Sequence, residues 1–274
     1  MKKARLDQRL HELGLTPSRE QARKLIMAGE VLVNGQLVDK PAATVALEAE
    51  ITLKAKPRFV SRGGEKLEAA LEQFGVEVAG QICADVGAST GGFTDCLLQR
   101  GAAKVYAIDV GRGILDYKLR TDARVVVMEE TNARHVERLP EPVGFISVDA
   151  SFISLKILLP VVKNWLDDRR PTADGQTIVQ RPPSAIVLIK PQFEAGRKEV
   201  SRGSGVIRDV EVHRRVLEEV LNFAAAEGWA VRGLMRSPLV GPKGNAEFLA
   251  WLDLSGAASE VPAFVEAVTP AVAP

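Results

Sequence analysis

The sequence predicts an α/β fold with a mostly parallel sheet, preceded by a small α+β module. From residue 82 onward, short apolar runs alternate with amphipathic stretches, which is typical of a parallel sheet covered on both faces. The first of these runs ends in a glycine-rich turn. Residues 1–66 carry 13 Lys and Arg against 8 Asp and Glu, whereas the rest carries 23 against 27. This asymmetry suggests an anionic partner for the basic N-terminal module.

The N-terminal module is predicted to contain two short helices, a hairpin and a further strand. Ser18 is suited to cap the second helix, and Asn34-Gly35 between two apolar triplets favours a type I′ hairpin turn. The module then ends at about residue 53, and the basic segment 54–62 is predicted to be a linker. Helices are predicted at residues 4–13 and 18–28, and strands at 31–33, 36–38 and 51–53.

The body, residues 63–254, is predicted to form seven strands with four helices between them. Alternation of this kind implies helices on both faces of the sheet. Residues 255–274 are rich in Ala, Pro and Val and are predicted to be a flexible tail. Strands are predicted at residues 82–86, 105–109, 125–128, 145–148, 185–189, 230–235 and 248–254, and helices at 65–74, 92–100, 153–165 and 209–227.

Composition excludes several classes of protein. No run approaches the ~18 uncharged apolar residues of a membrane span, and Met1–Arg5 is not followed by the apolar segment of a secretory signal. We therefore expect a cytoplasmic protein. Cys83 and Cys96 form neither a metal-binding pattern nor a disulfide framework, so no metal is expected.

The glycine-rich turn predicts a nucleoside-like cofactor. It lacks the Gly-x-Gly-x-x-Gly pattern of dinucleotide folds, which disfavours an NAD-dependent oxidoreductase, and the chain has no phosphate-cradling Gly-x-x-x-x-Gly-Lys motif. Asp109 ends the next strand, where a carboxylate can accept both ribose hydroxyls. A cationic nucleoside without phosphates fits best, so S-adenosylmethionine is expected; the alternative is a tight turn without a ligand. The predicted cofactor-binding residues are Asp85, Gly87, Ser89, Thr90, Gly91, Gly92 and Asp109, with Glu129 and Asn132 after the third strand.

The N-terminal module resembles the S4 RNA-binding domain. The matching residues are Arg5-Leu6-Asp7, Leu10, Ser18-Arg19, Ala22, Lys24-Leu25-Ile26, Gly29 and Val31–Gly35. Cations in such a module supply phosphate affinity rather than base recognition. A solvated basic face without a partner is the alternative that charge by itself leaves open. The resemblance implies RNA contacts at Arg5, Ser18, Arg19, Arg23 and Lys24, and we add Arg58 and Arg62 from the basic linker.

Residues 3–254 resemble the haemolysin A (TlyA) family, in which an S4 domain precedes an FtsJ-like ribosomal RNA 2′-O-methyltransferase. The resemblance implies a Rossmann-like class I methyltransferase fold with a seven-stranded, mostly parallel sheet. The implied partners are ribosomal RNA or ribosomal subunits, with cytidine of 23S or 16S RNA as the target. No DNA or membrane partner is expected, and the oligomeric state is open. The matching stretches are Val60–Leu67, Asp85–Gly92, Val148–Ser154, Leu188–Glu194 and Gly244–Phe248.

The resemblance places a catalytic Lys-Asp-Lys-Glu tetrad on Lys66, Asp149, Lys190 and Glu247. Lys190 is expected to be central, either as a neutral amine that accepts the proton of a ribose hydroxyl or as a cation that stabilises the developing alkoxide. The other three are expected to orient Lys190 and the ribose. Taken singly, each is more often a surface charge.

Two further functions are weighed against the methyltransferase. One is a non-catalytic RNA-binding assembly factor, which would leave the tetrad unused. The other is a membrane-active haemolysin, which the sequence disfavours because it has no long amphipathic basic helix with an aromatic face.

Overall fold

The computed structural model describes residues 2–54, 57–166, 182–196, 199, 205–256 and 260–270. It divides into two compact units, Met1–Pro57 and Arg58–Pro274. The second half of the predicted linker is part of the larger unit. Phe59 is 3% exposed, and the Val60 N–H donates to Asp95 Oδ2 at 2.9 Å.

The described residues of the smaller unit form two helices and five short strands. The first helix begins two residues later than predicted because residues 3–5 pair as a strand with residues 44–46. Its core is formed by Leu6, Leu10, Ala22, Ile26, Val31, Val45 and Ile51. The elements are β1 (Lys3–Arg5), α1 (Leu6–Glu12), α2 (Arg19–Met27), β2 (Val31–Val33), β3 (Gln36–Leu37), β4 (Thr44–Ala46) and β5 (Ile51–Leu53), with an antiparallel sheet β3-β2-β5.

The larger unit contains a seven-stranded sheet in the order β11-β12-β10-β9-β6-β7-β8, in which β12 runs antiparallel to both of its neighbours and the others are parallel. The predicted α/β fold is confirmed. The strands are β6 (Ile82–Val86), β7 (Lys104–Ile108), β8 (Val125–Met128), β9 (Phe145–Val148), β10 (Ser184–Ile189), β11 (Ala230–Arg236) and β12 (Phe248–Asp253).

Helices cover both faces of this sheet and bury two apolar clusters. The last helix differs from the flexible tail predicted after residue 254. Residues 261–268 form a helix with Pro262 in its first turn, and burial of Val261 and Val265 against the sheet cluster holds it in place. The helices are α3 (Gly63–Phe74), α4 (Gly92–Gln99), α5 (Tyr117–Arg120), α6 (Leu155–Lys163), α7 (Pro191–Glu194), α8 (Val210–Ala226) and α9 (Val261–Val268).

The strand order places four chain segments at one edge of the sheet. The chain runs from β6 outward to β7 and β8 and then crosses to β9 on the other side of β6, which makes a topological switch point between β6 and β9. Ligands bind at the carboxyl ends of strands at such a point. The antiparallel β12 starts at this same edge, since Phe248 pairs with Ile189 at the end of β10. The residues that follow β6, β9 and β10 therefore meet the residues that precede β12.

None of the helices in the described part of the chain has the length and apolarity that a membrane crossing requires.

Candidate active site

Two neighbouring cavities open where these segments meet. Their volumes are about 660 Å³ and about 260 Å³. Five residues line both of them: Gly87, Ser89, Asp149, Ser151 and Phe152. A group bound in the smaller cavity is therefore adjacent to a group bound in the larger one.

The larger cavity brings all four residues of the predicted tetrad together. Lys66 Nζ donates to Glu247 Oε2 at 2.5 Å, and Lys190 Nζ lies 2.6 Å from Asp149 Oδ1. Lys190 also donates to Ser151 Oγ at 2.9 Å. Glu247 is 1% exposed and Lys190 is 8% exposed, so both charges are largely removed from water. Each is buried with a partner of opposite charge, as burial of a charge requires.

The glycine turn places the end of β6 against the end of β9. Gly87 has a φ of +82°, and a Cβ there would lie 2.6 Å from the Asp149 carbonyl oxygen, so a side chain at this position would push Asp149 away. Gly91 has a φ of +97° and packs under Leu119, outside the residues that line the two cavities. Ser89, Thr90 and Gly92 line the larger cavity, and Ser89 also lines the smaller one.

Asp109 lies in the wall of the smaller cavity with its carboxylate already oriented. The backbone N–H of Ser89 donates to Oδ2 at 2.8 Å, and that of Gly111 donates to Oδ1 at 2.7 Å. Each oxygen retains a lone pair for a further donor. Val110, Ile114 and Ile153 supply apolar walls to the same cavity. Two adjacent hydroxyls next to a flat apolar group would match this surface.

Asp85 was predicted to bind the cofactor, but it is 0% exposed and lines neither cavity. Its carboxylate accepts from Thr94 Oγ1 at 2.7 Å and from Ser147 Oγ at 3.0 Å. Burial raises the pKa of Asp85 to about 7, against the opposing effect of these two hydrogen bonds. Its role in the structure is to tie β6 to α4 and to β9 beneath the glycine turn.

Glu129 and Asn132 lie in different surroundings. Glu129 accepts from the backbone N–H groups of Gly113, Ile114 and Leu115 and from Arg120. The Gly113 N–H and the Arg120 guanidinium lower the pKa of this carboxyl to about 2. Glu129 thus anchors the loop that carries Ile114 and lines neither of the two cavities described above. Asn132 lines the smaller cavity.

Residues 59–254 match the FtsJ-like methyltransferase family.

The chain belongs to this family.

Residues 4–51 match the S4 domain, so the resemblances stated from the sequence are confirmed. YqxC of Bacillus subtilis (strain 168) is 46% identical over 266 residues, which cover 94% of this chain and 89% of that protein. The Mycobacterium tuberculosis protein named 16S/23S rRNA (cytidine-2′-O)-methyltransferase TlyA is 42% identical over 257 residues, 92% of this chain and 90% of its own length. A solved structure from Streptococcus thermophilus, which carries the name hemolysin, has a TM-score of 0.70 at 42% identity and covers 98% of this chain and 95% of that one.

A pair of aromatic side chains, Phe152 and Phe193, lines the larger cavity of the FtsJ-like unit. Phe152 is 89% exposed and has a φ of +64°, which is uncommon for a bulky residue. Its ring lies 4.8 Å from that of Phe193, and Lys190 Nζ lies 5.7 Å from the Phe193 ring. Glu194 accepts from Ser154 Oγ at 2.6 Å and so links α7, which carries Phe193, to the loop that carries Phe152.

In the S4 domain, Arg5 and Arg19 converge on one buried carboxylate. Asp7 is 1% exposed and accepts from Arg5 Nη2 at 3.0 Å and from Arg19 Nη2 at 3.2 Å. The two arginines lower the pKa of Asp7, with the Arg5 hydrogen bond as the largest cause. About half of each arginine side chain is exposed, so Asp7 holds two guanidinium groups in place while both face solvent.

The other predicted RNA contacts in the S4 domain have different roles. Ser18 caps α2 and accepts from the Gln21 N–H at 3.2 Å, a structural role that its type and position explain. Lys24 forms an exposed ion pair with Glu20 at 3.0 Å, and Arg23 is exposed on the same helix. Arg23 and Lys24 are therefore open to an anionic partner, whereas Ser18 serves the helix.

The two arginines assigned from the linker belong to the FtsJ-like unit. Arg58 forms an ion pair with Glu68, and its guanidinium lies 4.9 Å from the centre of the Phe59 ring. Arg62 is exposed and lines the larger cavity. Lys243 lines the same cavity and was not predicted, because it lies outside the tetrad and outside the basic N-terminal segment.

Proposed function

We propose that this protein transfers a methyl group from S-adenosylmethionine to the ribose 2′-hydroxyl of cytidine in ribosomal RNA. One observation carries the proposal: two largely buried Lys–carboxylate pairs line a cavity that shares a wall with a second cavity, which is lined by Asp109. Membership of the FtsJ-like family supports the reaction, and the name of the Mycobacterium tuberculosis relative supports cytidine in 16S and 23S RNA as the substrate.

The residues of the smaller cavity fit the adenosine part of the cofactor. Asp109 presents two carboxylate oxygens, held by backbone N–H groups, to a ribose diol, and Val110, Ile114 and Ile153 offer apolar contact to a purine. Asn132 supplies an amide in the same wall. S-adenosylmethionine bound there would supply a sulfonium methyl, whose bond to sulfur breaks as the ribose oxygen bonds to the carbon, releasing S-adenosylhomocysteine and a proton.

Lys190 is the group that acts on the ribose oxygen in this proposal. It is paired with Asp149 and hydrogen bonded to Ser151, in a cavity that Phe152 and Phe193 also line. Lys190 faces the Asp149 carboxylate in an ion pair, so this geometry favours stabilisation of the developing alkoxide by the Lys190 ammonium over removal of the hydroxyl proton by a neutral amine, and the hydroxyl proton passes to solvent. A fixed donor in a dry site stabilises such a charge without having to reorganise.

Lys66 and Glu247 form the second pair and orient the acceptor ribose. Glu247 Oε1 is buried and has no hydrogen-bond partner among the described residues. Gly241 lies against this oxygen, and a Cβ at Gly241 would overlap it. A ribose hydroxyl that donates to Glu247 would satisfy an acceptor that is otherwise costly to bury.

Phe152 and Phe193 present an aromatic surface to an unpaired base. Enzymes that act on nucleotides commonly take the target out of the helical stack and pack its base on aromatic side chains. A ring that is 89% exposed in a left-handed backbone conformation carries a cost that a stacked base would offset.

The S4 domain supplies affinity for structured RNA at a second place. Its exposed cations are Arg5, Arg19, Arg23 and Lys24, of which Arg5 and Arg19 are held by Asp7. Such contacts recognise backbone and shape rather than sequence. The target nucleotide is therefore selected by where the S4 domain binds as well as by the FtsJ-like cavity.

Transfer of radiolabel from S-adenosylmethionine to purified ribosomal subunits tests this function. We expect label in RNA with the wild-type protein, reverse-transcription stops at a cytidine at low nucleotide concentration, and no stop at a substrate whose target 2′-hydroxyl is replaced by hydrogen. Cofactor binding without label on either subunit would contradict the proposal and favour a non-catalytic RNA-binding factor.

A further inference from the structure

Among the described residues, the larger cavity carries an excess of positive charge. Six charged side chains of the described part of the chain line it: the cations Arg62, Lys66, Lys190 and Lys243, and the anions Asp149 and Glu247. Lys66 is paired with Glu247, and Lys190 is paired with Asp149. Neither Arg62 nor Lys243 forms an ion pair with any residue that the structure describes.

The backbone at Lys243 is held in a conformation that lysine rarely adopts. Its φ is +59° and its ψ is 12°, in the left-handed region. Gly244 follows with a φ of +85°, and the Gly244 N–H donates to the Gly241 carbonyl at 3.1 Å. A glycine or asparagine would adopt this conformation with less strain. Lysine at this place therefore points to a use for its charge.

Arg62 directly precedes α3, and Lys66 follows it four residues later within that helix. Lys243 lies four residues before Glu247 on the loop that leads into β12. The two unpaired cations thus come from the same two segments that supply the Lys66–Glu247 pair. The paired residues are largely buried, and Arg62 and Lys243 are exposed.

We propose that Arg62 and Lys243 bind the two phosphates on either side of the methylated ribose, one cation to each phosphate. This inference rests on the proposed function, because it takes the ribose in the cavity to be part of an RNA chain. A nucleotide within a chain carries one negative charge on its 5′ side and one on its 3′ side, which matches the two uncompensated cations. The two cations would form a phosphate clamp that holds the ribose between the two ion pairs. We therefore expect a free nucleoside, which has neither phosphate, to be a poor acceptor.

The test uses synthetic RNA centred on the mapped cytidine, in which one neutral methylphosphonate replaces the phosphate on the 5′ or the 3′ side of the target. The full-length wild-type protein is compared with Arg62→Gln and Lys243→Asn. Asparagine tolerates the left-handed conformation, so Lys243→Asn removes the charge without straining the loop. Lys104→Gln is the matched control, since Lys104 is paired with Glu141 where β7 begins, at the opposite edge of the sheet.

For the wild type, either methylphosphonate should lower kcat/KM by roughly five-fold to tenfold. With unmodified RNA, Lys243→Asn should lower kcat/KM by a similar factor. One of the two methylphosphonates should then have no further effect on Lys243→Asn, and the other methylphosphonate should have no further effect on Arg62→Gln. Each variant should also reduce the slope of log kcat/KM against log salt by about one. Lys243→Arg should restore the wild-type pattern, and Lys104→Gln should not depart from it.

If both variants keep full sensitivity to both replacements, the proposed phosphate contacts are wrong. The same conclusion follows if Lys243→Asn lowers kcat/KM only by weakening the binding of S-adenosylhomocysteine or by lowering the Tm, which are measured on the same preparations. If the wild-type protein binds the unmodified RNA and methylates no nucleotide in it, the proposed function is wrong, and so is the proposal that Arg62 and Lys243 bind the flanking phosphates.

Discussion

The two cavities of the FtsJ-like unit are built in different ways. The smaller one depends on backbone groups of turns that lie close together in sequence, since Asp109 is held by the N–H groups of Ser89 and Gly111. The larger one depends on side chains from distant segments: Lys66 and Glu247 are 181 residues apart. Gly87 and Asp149 belong to both cavities.

This difference indicates how the site divides its work. Backbone N–H groups cannot be mutated away, so the smaller cavity should tolerate change at most of its side chains except Asp109. The four tetrad residues of the larger cavity are side chains that form two ion pairs, Lys66–Glu247 and Lys190–Asp149. We therefore expect substitutions to separate cofactor binding from methyl transfer.

The largest separation is expected for Lys190→Ala. Removal of the ammonium takes away the donor that faces the developing alkoxide, and loss of one such donor typically costs roughly 10²–10³ in kcat. Affinity for S-adenosylhomocysteine should change little, as measured by calorimetry. Lys190→Met, which keeps the bulk of the side chain, should be equally inactive, and substantial turnover in either variant would remove Lys190 from the mechanism.

Asp109→Ala should produce the opposite pattern. Two charge-assisted hydrogen bonds to a ribose are lost, so cofactor affinity should fall by roughly a hundredfold. RNA affinity, measured by filter binding, should stay at the wild-type value. Asp109→Asn keeps one carbonyl oxygen, so its cofactor affinity should lie between those of the wild type and Asp109→Ala. Unchanged cofactor affinity in Asp109→Ala would show that the smaller cavity does not hold the nucleoside.

Phe152→Asn tests the aromatic pair and is expected to have a smaller effect. Loss of base stacking should raise the KM for RNA by about tenfold, because a stacked base contributes about 1–3 kcal/mol. Asparagine accepts the left-handed conformation, so thermal stability should not fall. A KM that stays at the wild-type value in Phe152→Asn would contradict a role of this ring in substrate binding.

Substitution of Asp85 is expected to have the smallest effect on methyl transfer, because it acts on stability rather than on chemistry. Its pKa is about 7 in the folded protein against an ordinary value of 3.8, so between these values the folded state holds a proton that the unfolded state has released. The stability that this proton contributes is present below about pH 4 and is lost as the pH rises to about 7. Asp85→Asn should flatten that part of the pH profile by on the order of a few kcal/mol in urea titrations, and a profile parallel to the wild type would contradict the raised pKa.

Sequence reasoning predicted the elements around the glycine turn closely because their signals are local. The strand at residues 82–86, the turn and the start of α4 all lie where the apolar run and the glycines indicate. It missed the helix at residues 261–268, whose stability comes from burial of Val261 and Val265 in a cluster assembled by other parts of the chain.

Within the site too, local sequence signals do not reveal contacts between distant parts of the chain. Residue type and position located Asp109, but they also selected Asp85, whose carboxylate turns into the core to meet Thr94 and Ser147. The tetrad was located by family resemblance, and no local pattern shows that Lys66 faces Glu247. No role was predicted for Phe152 or Lys243. Both lie in loops at positive φ, and composition does not reveal that loop geometry.

The most direct test of the account is to measure S-adenosylhomocysteine affinity and single-turnover methyl transfer on the same preparations of wild type, Asp109→Ala and Lys190→Ala. We predict that Asp109→Ala loses cofactor affinity and recovers transfer at saturating S-adenosylmethionine, whereas Lys190→Ala binds the cofactor normally and fails to transfer at any concentration. Equal loss of cofactor affinity in both variants would contradict the division of the site into a cofactor cavity and a reaction cavity.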